Sequence, residues 1–146
     1  MFKFETTIFI DRPQQEVFDF VSNPANNSKW QGNFISAEWT SDNPVGVGST
    51  QRSVSRFLGR EIEATAEITV WDPPNQFTFR LPEGPYPAEG TNIFEPKGDG
   101  TQVTQKGTGE PGGFFKLAEG LVGKQLNKQL ETNLSALKIL LEGGSE

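Results

Sequence analysis

Arg52 and Arg56 fall in the run Ser49–Phe57, where a strand would put them on one face with Val54 between them. If that face points inward, the two guanidiniums make a binding site for a carboxylate or phosphate. If it points outward, they are ordinary solvated arginines, the favoured reading because buried arginines need partners. Val54 marks the arginine face as inner and Phe57 marks the other, so both readings stay open. Gln105 shares strand parity with Val103, and Asn92 with Phe94, so each amide turns inward if its apolar neighbour does. Inward amides could orient a ligand in an apolar pocket, satisfy each other, or sit at a solvated end of the sheet. Tyr86, the single tyrosine, lies in Gly84-Pro85-Tyr86-Pro87, a loop suited to a pocket rim.

Two absences narrow the chemistry further. There is no histidine, so the usual proton-transfer group near neutral pH and the commonest metal ligand are missing. There is no cysteine, which excludes disulfides, thiolate zinc and a thiol nucleophile. No phosphate loop, carboxylate-pair signature or metal-ligand spacing is visible. The expectation is no catalytic residue, no metal and no cofactor. A net charge of -6 argues against nucleic acid, and no polybasic segment is present for anionic lipid. No apolar run suits a signal peptide or a membrane span, so a cytoplasmic protein without stable membrane insertion is expected.

Positioning those side chains falls to a simple order of elements, most simply one domain over residues 1–146. Phe2 to Ile10 reads as a strand with Phe2, Phe4, Thr6, Ile8 and Ile10 on one face. Pro13 suits the first turn of a helix, and Val17, Phe18 and Val21 form its apolar edge to about Ser22. Asn23-Pro24 breaks it, and Pro24 to Trp30 gives a second short helix with Trp30 as its buried end. Strands are then expected over Ile35–Ser41, Ser49–Phe57, Arg60–Trp71, Gln76–Leu81, Ala88–Glu95 and Thr101–Thr108. In Arg60–Trp71, Ile62, Ala64, Ala66, Ile68 and Val70 face one way, with glutamates and threonines opposite. Pro96 to Gly100 is the last hairpin turn. Such short connections make an antiparallel meander, with no βαβ unit and no internal repeat.

The chain closes on a helix, from about Gly113 to Glu142. Leu126, Leu130, Leu134, Leu137 and Leu141 lie on one stripe, while Phe114, Leu117, Ala118 and Leu121 point nearly the opposite way. Gly120 and Gly123 lie between, each costing roughly 1 kcal/mol relative to Ala inside a helix. A bend or break between Gly120 and Gly123 is therefore expected, with Phe114–Leu121 as a flap and Leu126–Leu141 as the packed helix. Glu119, expensive to bury unpaired, would turn to solvent at that bend.

Taken in order, Asp11-Arg12-Pro13 through Val17-Phe18 resembles the opening Pro-x-x-x-Val-Phe helix of the SRPBCC (START/Bet v 1-like) superfamily. Asn23-Pro24 through Lys29-Trp30 is similar to the Asp-Pro…Trp segment that follows there. Gly46-Val47-Gly48-Ser49-Thr50, Trp71-Asp72-Pro73-Pro74 with Phe77, and Gly100-Thr101-Gln102-Val103-Thr104 match later landmarks, as does Leu137 to Glu142. The similarity covers nearly the whole chain and is greatest to polyketide cyclase/dehydrase-type members. It implies an α+β helix-grip fold, with a curved antiparallel sheet of about six to seven strands wrapped around a long C-terminal helix. Two short helices follow the first strand, and a hydrophobic cavity lies between sheet and helix. The superfamily spans lipid carriers, hormone receptors, cyclases, ring-hydroxylase subunits and chaperone activators, so the resemblance selects no single activity. The histidine-ligated iron of the oxygenase branch cannot be held by a chain without histidine.

The candidate ligand contacts are Trp30, Arg52, Phe79, Asn92, Phe94 and Gln105, with Phe115 and Val122 on the closing helix. Each aromatic among them could equally be core. The first expectation is binding or carriage of a small hydrophobic molecule, without catalysis. The alternative is a polyketide cyclase/dehydrase that works by holding its substrate in a reactive conformer, with Arg52, Gln105 and Tyr86 as its residues. A third is a chaperone-activator-like interaction module, which predicts a small cavity and an exposed apolar patch.

Overall fold

Alternating apolar residues make Phe2–Ile10 the first strand, β1, with Ile10 fully buried at its end. The computed structural model describes residues 2–32, 34–41, 44–57, 59–81, 88–109 and 119–143, with backbone alone for residues 2, 57 and 119–122. After β1 come helix α1 (Gln14–Ser22), a single 3₁₀ turn (Pro24–Asn26) and helix α2 (Asn27–Trp30). Then follow β2 (Phe34–Trp39), β3 (Thr50–Phe57), β4 (Arg60–Asp72), β5 (Gln76–Leu81), β6 (Ala88–Lys97) and β7 (Gly100–Gly109). Helix α3 (Glu119–Gly143) is the last described element.

The seven strands lie in the order β1-β7-β6-β5-β4-β3-β2, and every neighbouring pair is antiparallel. Strands β2 to β7 form the expected meander, and β1 joins by pairing with β7. Consecutive strands β1 and β2 therefore occupy opposite edges, connected through α1 and α2. Helix α3 lies against β1 and α2. This is the helix-grip arrangement.

Local chemistry explains the helix pair. Pro13 stands at the N-cap of α1, one position before the first turn, and its carbonyl accepts from the Val17 N–H at 3.1 Å. A residue without an N–H loses nothing there. Asn23 Oδ1 accepts from the Ala25 N–H at 3.1 Å and so starts the next turn. The buried edge of α1 is Val17, Phe18 and Val21.

Phe18 is the centre of the core. The rings of Trp71, Phe77 and Phe94 stand edge-on to it, at centroid distances of 5.3, 5.7 and 5.2 Å. That is the arrangement the ring quadrupoles favour. Leu134, Leu137 and Leu141 of α3 close over the cluster with Ile10 and Val103.

Trp71 reaches Phe18 because β4 is irregular. Ile68 pairs with Phe79 and Val70 with Thr78, which leaves Thr69 as the extra residue of a β-bulge. The bulge reverses the alternation. Val70, expected inward, is instead turned out and 39% exposed, and Trp71 turns in. Strands β6 and β7 also run further than expected, to Lys97 and Gly100, so their turn is only Gly98-Asp99. Gly98 takes φ 61°, a left-handed conformation open to glycine at little cost.

Helix α3 passes through Gly120 and Gly123 without interruption, so the expected break is absent. Glycine weakens a helix interior without forbidding it. Asn127 Nδ2 donates to the Gly123 carbonyl at 3.0 Å. Of the proposed flap, residues 114–118 lie outside the described residues, as does Tyr86. The other end of α3 is tied to the β1–α1 connection. Arg12 Nε donates to the Leu141 carbonyl at 2.8 Å, and the Asp11 N–H donates to Glu142 Oε2 at 2.8 Å. A cation at a helix C-terminus meets carbonyls that lack intrahelical partners.

Candidate functional site

A cavity of about 170 Å³ lies between the sheet and the helices. Its floor is the concave face of the sheet, where Phe77, Phe79 and Leu81 of β5 lie beside Gly90 and Asn92 of β6. Helix α3 is divided along its length. Leu126 and Leu130 are half-buried over the cavity, whereas Leu134, Leu137 and Leu141 belong to the core. Trp30, at the end of α2, is 3% exposed and forms part of the wall.

Part of the floor is made by a row across four strands. Phe4 of β1 pairs with Gly107 of β7, Gly107 with Gly90 of β6, and Gly90 with Phe79 of β5. The two phenylalanine rings fold over the two glycines. A Cβ on Gly107 would stand 2.6 Å from Phe4 Cζ, and one on Gly90 would stand 2.8 Å from Phe79 Cζ. Neither position has room for a side chain.

Polar groups enter this apolar space as amide pairs. Gln105 Nε2 donates to Asn92 Oδ1 at 2.8 Å, across the register of β6 and β7. On α3, Gln129 Nε2 donates to Asn133 Oδ1 at 2.7 Å, and the Gly32 N–H donates to the same oxygen at 3.2 Å. Asn92 and Asn133 are both deeply buried, which such pairing makes tolerable. Gln105 and Asn92 thus satisfy each other, one of the readings open from the sequence.

Three arginine–glutamate pairs of β3 to β5 sit on the opposite, convex face. Arg52 forms a two-point pair with Glu63, Nη2 to Oε2 at 2.9 Å and Nε to Oε1 at 3.0 Å, with its side chain 44% exposed. Arg56 pairs with Glu61 at 3.7 Å, and Arg80 with Glu67 at 3.1 Å. The inward arginine site is therefore overturned. Gln51 and Ser53, which pair with Ala66 and Ala64 of β4, hold the inner face of β3. The inner face of β3 is thus the one that does not carry Arg52, Val54 and Arg56.

Among the described residues, no group of three or more His, Cys, Asp or Glu could hold a metal ion. No helix among them is long and apolar enough to cross a membrane.

Residues 1–142 match the sequence profile described as polyketide cyclase/dehydrase and lipid transport. The chain belongs to that family. Solved structures share its fold from end to end. TTHA0849 from Thermus thermophilus has a TM-score of 0.85 at 25% identity, over 99% of both chains. A START superfamily protein from Mycobacterium smegmatis has a TM-score of 0.82 at 17% identity, over 98% of this chain and 99% of that one. The di-domain ARO/CYC BexL of the BE-7585A biosynthetic pathway has a TM-score of 0.77 at 20% identity, over 97% of this chain and 47% of that one. No match is found among curated proteins.

Within this cyclase/dehydrase and lipid-transport fold, Trp30, Phe79, Asn92 and Gln105 line the cavity. Phe94 does not. It is 1% exposed, stacked on Phe77 at 6.1 Å and covered by Phe18, so it is core. Phe115 and the side chain of Val122 lie outside the described residues. Gln51, Ser53 and Gln129 line the cavity and were not foreseen. For Gln129 a signal existed, since four residues separate it from Asn133 on one helix face.

Proposed function

We propose that this domain binds or carries a small hydrophobic molecule in the cavity between sheet and α3, without catalysis. The observation that carries the reading is the composition of that cavity. Its floor is aromatic and aliphatic, and its inward polar side chains are amides and hydroxyls that suit orientation more than proton transfer. Membership of a family described in part by lipid transport supports the same reading. Native mass spectrometry of the purified protein should reveal a retained organic ligand, or uptake of an added one with one-to-one stoichiometry. Failure to bind any small apolar probe would refute it.

A cyclase/dehydrase reading draws support from the family description and from the fold shared with an ARO/CYC protein. In it the amides would hold a substrate in one reactive conformer, where positioning alone can contribute much. Gln105 remains its best candidate. Arg52 does not, because its side chain is engaged by Glu63 on the convex face.

A further inference from the structure

Two residues of the cavity wall each carry a buried polar atom without a hydrogen-bond partner: Trp30 its Nε1 donor and Gln105 its Oε1 acceptor. A buried polar atom left unpaired gives up the hydrogen bond it made with water and gains none in return. Two such atoms on residues of one cavity call for a partner from outside the chain. We propose that the ligand is an uncharged molecule with an apolar body and at least one hydroxyl group, recognised by Gln105 and Trp30. This rests on the binding reading above and specifies what is bound.

A hydroxyl both donates and accepts, so it meets either atom. It also meets either orientation of the amides. Turning Asn92 and Gln105 over together preserves the bond between them and replaces the free oxygen of Gln105 with a free N–H, which a hydroxyl oxygen accepts. A carbonyl lacks that latitude. Anionic ligands are disfavoured on separate grounds. Glu89 and Lys106 border the cavity, but both are exposed, and strand parity turns them to the convex face beside inward Gly90 and Gly107. Among the described residues that line the cavity, no cation turns inward to offset a carboxylate or phosphate, whose unpaired burial is far more costly than that of a hydroxyl.

Calorimetric titration with three probes that share one ring system tests this: 2-naphthol, naphthalene and 2-naphthoate at neutral pH. The expected order of affinity is 2-naphthol, then naphthalene, then 2-naphthoate, with the first step roughly three- to tenfold, as one ordinary hydrogen bond gives. Gln105→Leu should erase the preference for 2-naphthol over naphthalene. Trp30→Phe should reduce the same preference. The proposal is overturned if 2-naphthoate binds as well as 2-naphthol, or if Gln105→Leu keeps the preference. Naphthalene binding with no gain for 2-naphthol sinks this inference alone. Binding of none of the three sinks the carrier reading with it.

Discussion

The Phe79 ring lies across Gly90, its partner on the next strand, so closely that a Cβ there would meet three ring carbons within 3.5 Å. Gly90→Ala must push that ring off the strand and into the cavity. The expected outcome is weaker binding of an apolar probe, with stability lowered by about 1–3 kcal/mol, the usual result of overpacking. At Gly107 the added Cβ would also run into the Glu89 carbonyl, which cannot swing aside as a side chain does. Gly107→Ala should therefore cost more stability than Gly90→Ala. Thermal unfolding and a probe titration on both variants check the order, and a Gly107→Ala protein as stable as the parent would refute it.

Phe18 meets three aromatic rings edge-on and is 1% exposed. Phe18→Ala should lose about 3–5 kcal/mol, the cost of removing a buried phenylalanine and leaving its space partly empty. The urea midpoint should fall accordingly. The near-ultraviolet signal of Trp71, which borders the vacated space, should change with it.

Glu142 is held below the ordinary glutamate range first by its hydrogen bond from Lys138 and then by the Asp11 N–H. In the unfolded chain the same carboxyl takes up its proton at higher pH, so over the interval between the two values the unfolded state binds more protons. The contribution is thus complete above the ordinary glutamate range and is lost as pH falls through the lower folded value. Glu142→Gln should be less stable than the parent at neutral pH, with the two stabilities converging as the solution is acidified. Denaturation curves that stay parallel down to acid pH would contradict this.

Arg52→Ala should leave probe binding unchanged, because the pair with Glu63 stands on the convex face. An exposed ion pair of this kind contributes up to about 1 kcal/mol, so the midpoint should move little. A large loss of affinity in this variant would return Arg52 to the ligand contacts.

Element order was legible in the sequence because it depends on local signals. Pro13, Asn23-Pro24 and the alternation of Phe2–Ile10 each set their own neighbourhood, and the structure follows them. What failed depends on relations between strands. Thr69 has nothing in its type to mark a bulge, so alternation alone points Val70 inward and Trp71 outward, the reverse of what the bulge produces. The two faces of β3 carry Val54 and Phe57 on opposite parities, and only pairing with Ala64 and Ala66 of β4 resolves which is inner. Phe94 does turn inward as its spacing indicates, yet Phe18 arrives from another element and makes it core. In α3 the intrinsic cost of two glycines predicts a break, and continuous helix prevails.

The pairing of β1 with β7 aligns Phe2 with Gly109 and Ile10 with Thr101. During synthesis, β1 emerges before the other six strands of this sheet and must wait for β7, the last of them, before it has a neighbour. Contacts of such sequence separation form late, and an unpaired strand is open to wrong partners while it waits. Helix α3, which also rests on β1, emerges later still. Until then there is no complete pocket, so a nascent chain can hold no guest and gain no stability from one.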